Sequence, residues 1–266
     1  MRYGFCHGFF TQSETKVDYD FIKMIKEAGF DFVEVQATII ESLTDEEFEE
    51  FAAFLEELDL DCDCSSSLFP RTIRVTGKDI DEDSINNFLE KTFSRLKRLG
   101  AKKVVLGSAP SRALDDETSE DEGYEQIAKV CRELVVPACE KYDITVVIEP
   151  LGATACNFIN TLPDGMKVVN AVNHPRIELL CDTVHMTLNE DDPDDVVKFK
   201  DNLKHVHIAE LNRMLPEDDY SVLTKKVIEN LVKTCYEGTI SFESRIGEGV
   251  SSMKKALALL KKTLNK

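Results

Sequence analysis

The chain has 266 residues, with 32 Lys and Arg against 50 Asp and Glu for a formal charge of −18, and is long enough for one large α/β domain or two small ones. The acidity speaks against nucleic acid or an anionic membrane as partner, because phosphate binding is driven by cationic surface. No apolar run approaches the roughly 18–20 residues that cross a bilayer, and "MRYGFCHGFF" lacks the apolar core and cleavage site of a secretory signal.

In chain order, strand starts are expected near residues 2, 31, 59, 102, 144, 177, 204 and 239, with an amphipathic helix filling each interval. The junctions "KEAGFDFVEV", "KRLGAKKVVLG" and "CYEGTISFES" place Gly29, Gly100 and Gly238 where a helix should end. "EKYDITVVIEP" and "NHPRIELLCD" are the same junction without glycine. Thr44 with Glu47 makes a capping box, and Phe48, Phe51, Ala52 and Leu55 follow as one apolar stripe. "DCDC" puts Cys62 and Cys64 on one face of the third strand, and with no second pair at zinc-site spacing they read as packing residues. Asp192 before Pro193 reads as an N-cap followed by proline at the first helical position. The tail "VSSMKKALALLKKTLNK" reads as a packed, basic-faced surface helix. The eight cysteines lie mostly in apolar segments, as reduced thiols of a cytoplasmic protein would.

"KVVLG", "ITVVIE" and "IELLC" are apolar without alternation, as strands covered on both faces are. Eight strand–helix units without a linker predict a (β/α)8 TIM barrel, one domain over residues 1–266. The alternative, an open doubly wound sheet, lacks its G-x-G-x-x-G after strand one, and no phosphate-binding G-x-x-x-x-G-K-[ST] occurs.

In such a barrel, chemistry collects where strands emerge at their C-terminal ends. Strand five ends in Glu149, strand six in Asp182 with His185 just beyond, strand seven in His207 and strand eight in Glu243. Three carboxylates and one imidazole from consecutive strands suit a hard-to-borderline divalent ion such as Mn2+, Mg2+, Co2+ or Zn2+. His205 lies two residues deeper and reads as a hydrogen-bonded supporting residue. His7 ends strand one, where substrate contact and packing weigh equally. Glu34 ends strand two and could reach a substrate hydroxyl, orient another group or cap a loop. Small residues Ser65, Ser66 and Gly107 would leave room for substrate above strands three and four. His174 reads as a loop residue. "RIGEGVSS" sits where barrels often bind phosphate, yet Glu248 in that loop would repel an anion.

"EPL", "CDTVHM", "HVHIAELNR" and "SFES", in this order, resemble the sugar isomerase/epimerase superfamily with the xylose-isomerase-like barrel, and within it the ketose 3-epimerases of tagatose and psicose type. Their strand-seven motif H-x-G-E-x-N-R reads "HIAELNR" here. The resemblance implies that Glu149, Asp182, His207 and Glu243 bind the metal, that His185 and Arg213 hold sugar oxygens, and that the substrate is a small sugar or sugar phosphate. The ion would polarise the carbonyl, with Glu149 and Glu243 removing and returning the proton beside it. Two features depart from the pattern: Ala155 stands where those epimerases carry a second glutamate, and their bulky aromatic near strand four has no match. Dehydration of an inosose-like substrate, or lyase chemistry on a glycoside, could start from the same proton abstraction. The endonuclease IV type of DNA repair enzyme shares the barrel but needs more histidines, absent here at the ends of strands three and four. The metal, the sugar and assembly as a homodimer or homotetramer stay open.

Overall fold

In the computed structural model, which describes residues 1–7 and 16–265, eight parallel strands close a barrel in sequence order, β8 returning to pair with β1. They are β1 Arg2–His7, β2 Phe32–Gln36, β3 Cys64–Ser66, β4 Lys103–Leu106, β5 Thr145–Ile148, β6 Ile177–Asp182, β7 Leu203–Ile208 and β8 Thr239–Phe242. The helices are α1 Tyr19–Ala28, α2 Ala37–Ser42, α3 Asp45–Glu57, α4 Glu82–Arg98, α5 Ala109–Arg112, α6 Glu120–Val130, α7 Val136–Tyr142, α8 Leu162–Val172, α9 Thr183–Leu188, α10 Asp195–Lys198, α11 Val222–Lys233 and α12 Val250–Leu264.

Local chemistry accounts for most of these boundaries. Thr44 and Glu47 form the expected reciprocal capping box, and α3 buries Phe48, Phe51, Ala52 and Leu55. Gly29 and Gly100 take the left-handed conformation that ends α1 and α4, with φ of 89° and 84°. Gly238 plays another role. Cys235 makes the left-handed turn after α11 (φ 51°), and a Cβ at Gly238 would lie 2.7 Å from the Lys204 carbonyl oxygen. Without glycine, Asp143 and Asn173 adopt positive φ to end α7 and α8.

Two boundaries differ from expectation. Asp192 does not cap α10: its carboxylate accepts from the Asp194 N–H in the turn ahead, and Asp194 is the N-cap. The third strand begins at Cys64 rather than near residue 59, because Asp59 is left-handed (φ 50°) and Asp61 makes only an isolated bridge to Phe32. Arg2 ties down both Asp61 and Asp63, fixing this segment at the barrel floor.

The main apolar core lies between barrel and helices and includes the α12 residues Met253, Ala256, Leu257, Leu260 and Leu264. A smaller cluster of Phe32, Cys64, Val105, Val147 and Leu180 is separate from it. Residues two apart share a strand face, so Glu34, Glu149 and Asp182 stand one layer above Phe32, Val147 and Leu180. The inner wall thus changes from apolar to ionisable within one pleat of the rim. All eight cysteines are free, and seven are buried. No helix among the described residues is long and apolar enough to cross a membrane.

Candidate active site

Glu149, Asp182, His207 and Glu243 bring ligand atoms within 4.8 Å of one another, all four residues buried. Parallel register aligns them: Asp182 is level with His207, and His207 with Ser241, two residues before Glu243. Asp182 also caps α9, its Oδ1 accepting from the N–H groups of Val184 and His185 at 2.7 and 3.0 Å. The His207 Nδ1 atom lies 3.2 Å from Glu149 Oε1, 3.9 Å from Asp182 Oδ2 and 4.0 Å from Glu243 Oε2.

The electrostatics show a site short of positive charge. Burial, reinforced by Glu149 and Asp182, pushes the Glu243 carboxyl up to about 8 despite Arg213 and His207. Burial opposes ionisation of Asp182 too, but Arg213, His185 and His207 outweigh it and lower its pKa. For His207, burial disfavours the charged ring, yet Glu34 above all holds the pKa well above the ordinary value. The Arg213 guanidinium pairs with Asp182 at 2.7 Å and with Glu243. A buried set of three carboxylates and one imidazole that attracts a cation in this way fits a divalent ion of the hard-to-borderline type.

His185 and Arg213 line the cavity above this cluster. The His185 Nδ1 accepts from the Gly152 N–H at 2.9 Å, and its Nε2 lies 2.9 Å from Arg213 Nη2. Arg213 reaches inward from a backbone with φ of 58°, pinned where its carbonyl accepts from the Arg245 N–H at 2.6 Å. The cavity measures about 630 Å3 and extends from Glu149, Glu243, His185 and Arg213 toward Gln36, Ser67 and Ala155. That is within the usual range for a small-molecule site.

Four other candidates from the sequence are not among the residues lining this cavity. His7 is fully buried, and its Nε2 accepts from the Asp18 N–H at 2.7 Å, tying the end of β1 to the start of α1. Ser66 is buried one residue short of Ser67, which faces the cavity. Gly107 makes room for a neighbour: a Cβ there would fall 2.2 Å from Glu149 Oε2. Glu34 is fully buried, with Oε1 2.9 Å from His207 Nε2 and Oε2 2.9 Å from His205 Nε2. His205 is buried beside it, as expected of a supporting residue.

Arg112 escaped the sequence reading. Its buried guanidinium donates to the carbonyls of Leu106, Glu149 and Ile159 at 3.2, 2.8 and 3.3 Å, mooring the ends of β4 and β5. Nothing in "APSRAL" signals this, since its partners lie up to 47 positions away.

Among known proteins, 3-dehydro-D-guloside 4-epimerase of Escherichia coli (strain K12) is 25% identical over 242 residues, covering 84% of this chain and 86% of the relative. D-psicose 3-epimerase of Ruminiclostridium cellulolyticum is 23% identical over 264 residues, covering 95% and 87%. The crystal structure of D-allulose 3-epimerase from Methylomonas sp. in complex with D-allulose matches with a TM-score of 0.84 at 21% identity, covering 99% of this chain and 97% of that one. The family profile described as xylose isomerase-like TIM barrel matches residues 22–263, and the chain belongs to that family.

Proposed function

We propose that the chain is a divalent-metal-dependent carbohydrate epimerase or isomerase that transfers a proton beside the carbonyl of a ketose or related keto-sugar. The observation that carries this reading is the convergence of Glu149, Asp182, His207 and Glu243 from four successive strand ends into one buried cluster, of which Glu149 and Glu243 line the cavity. The relatives named above are sugar epimerases, which supports the same class of reaction.

Glu149, Asp182, His207 through Nδ1, and Glu243 would hold the ion, with Mn2+ ahead of Mg2+, Co2+ or Zn2+. When bound, it would supply Lewis-acid polarisation of the substrate carbonyl. Glu149 and Glu243 follow β5 and β8, the outer two of the four strands, and would face a bound sugar from different sides. One takes the proton from the carbon beside the carbonyl and the other returns it. Arg213 and His185 hold the sugar oxygens and offset charge developing on them. Glu248, in the loop after β8, is not among the residues lining this cavity, and both neutral and phosphorylated sugars stay within the reading. The partner is thus a small molecule, and a reducing cytoplasm agrees with the free thiols.

Ketoses, ketose phosphates and keto-cyclitols incubated with the Mn2+-loaded protein in D2O test the reading. Deuterium should enter at a carbon beside the carbonyl, with no loss of water, on at least one ketose. Loss of water would move the assignment to a dehydratase. No exchange on any member of the panel would overturn it.

A further inference from the structure

Beneath the ligand cluster lies a buried polar chain, running from Thr239 through the fully buried His205 and Glu34 to His207. We infer that Glu34 is a positioning residue for metal capture: its carboxylate takes the His207 Nε2–H and thereby leaves Nδ1 to face the ion. The inference rests on the proposed metal site and names a residue that acts on it without touching substrate.

The geometry separates the two faces of His207. Nε2 is 2.9 Å from Glu34 Oε1, while Nδ1 is turned toward Glu149, Asp182 and Glu243. A carboxylate only accepts hydrogen bonds, so the nitrogen facing Glu34 must carry hydrogen. In a ring bound to an ion, the other nitrogen then presents its lone pair. Glu34 is itself held from below. Its second oxygen is 2.9 Å from His205 Nε2, and His205 Nδ1 is 2.6 Å from the Thr239 hydroxyl and 3.0 Å from the Thr239 carbonyl. The Thr239 carbonyl already accepts from the Tyr236 hydroxyl at 3.0 Å, and the Thr239 hydroxyl, the nearer partner, can donate to Nδ1, so the His205 proton sits on Nε2, directed at Glu34. Both Glu34 oxygens therefore accept from a ring N–H, and a carboxylate is the side chain of this length that can do so. An amide offers one accepting oxygen and would point N–H hydrogens at one of the rings. This arrangement makes Glu34 specific for ring orientation rather than for filling space, because a glutamine fills the same volume.

The test compares wild type with Glu34→Gln in calorimetric titration of the metal-free proteins with Mn2+ alone. A loss of about 10- to 100-fold in affinity is expected. In parallel, nitrogen-15 histidine NMR of the wild-type protein loaded with Zn2+, which is diamagnetic, reads the ring directly: His207 should carry its hydrogen on Nε2. Mn2+ binding by Glu34→Gln within about twofold of wild type, or a His207 whose Nε2 carries no hydrogen, would overturn the inference. If Glu34→Gln fails to fold, the spectrum of wild type alone decides. A wild type that binds neither ion would instead sink the metal site and, with it, this role.

Discussion

His7 illustrates how a polar residue at the rim end of a strand can serve structure. Burial lowers its pKa to about 4, against the raising influence of Asp18, so the folded protein holds a neutral ring. Above the unfolded value of about 6.5 neither state binds the proton, and His7 adds no pH dependence. As pH falls from about 6.5 to 4 the unfolded chain takes up the proton first, so stability declines by up to about 3 kcal/mol and then levels off. Urea denaturation across that range should show the decline, and His7→Gln should flatten it. An unchanged slope in the variant would contradict the assignment. Gly107 offers a second test at this scale. Gly107→Ala should push the Glu149 carboxylate aside, weaken Mn2+ binding about tenfold or more, and leave the fold intact by circular dichroism. Glu149, Asp182, His207 and Glu243 were legible in the sequence because each follows an apolar strand. Orienting another group was only one of three readings open for Glu34, because its partners lie 171 and 173 positions away and only barrel closure brings them together.

At the scale of elements, the barrel rim depends on a few buried polar ties. Arg112 serves three carbonyls from one guanidinium, and hydrogen bonds to a charged group contribute roughly 1.5–3 kcal/mol. Part of that is offset by the cost of burying the charge. Arg112→Met should therefore destabilise the protein by about 2–4 kcal/mol in urea denaturation, through the unpaired carbonyls it leaves. Thr44→Ala, which breaks the capping box of α3, should cost about 1 kcal/mol and leave metal binding unchanged. The strands and caps were readable from local pattern, since burial on both faces and capping geometry act over a few residues. The start of β3 was not, because the segment after Asp59 has strand-like composition but finds a continuous partner only from Cys64. Gly238 was misread for a related reason: its closest backbone constraint comes from Lys204 on another strand.

For the molecule as a whole, sequence order and spatial order coincide around the barrel, so successive strand ends become neighbours at one rim. That is why four residues spread from Glu149 to Glu243 form a single cluster. The same closure concentrates three carboxylates beyond what the surroundings keep ionised, as the raised Glu243 carboxyl shows. The most direct measurement is calorimetric titration of the metal-free protein with Mn2+, alongside the double variant Glu149→Gln, Glu243→Gln. One ion per wild-type chain is predicted, with binding lost in the double variant. No stoichiometric binding by wild type, or unchanged binding by the double variant, would contradict the account.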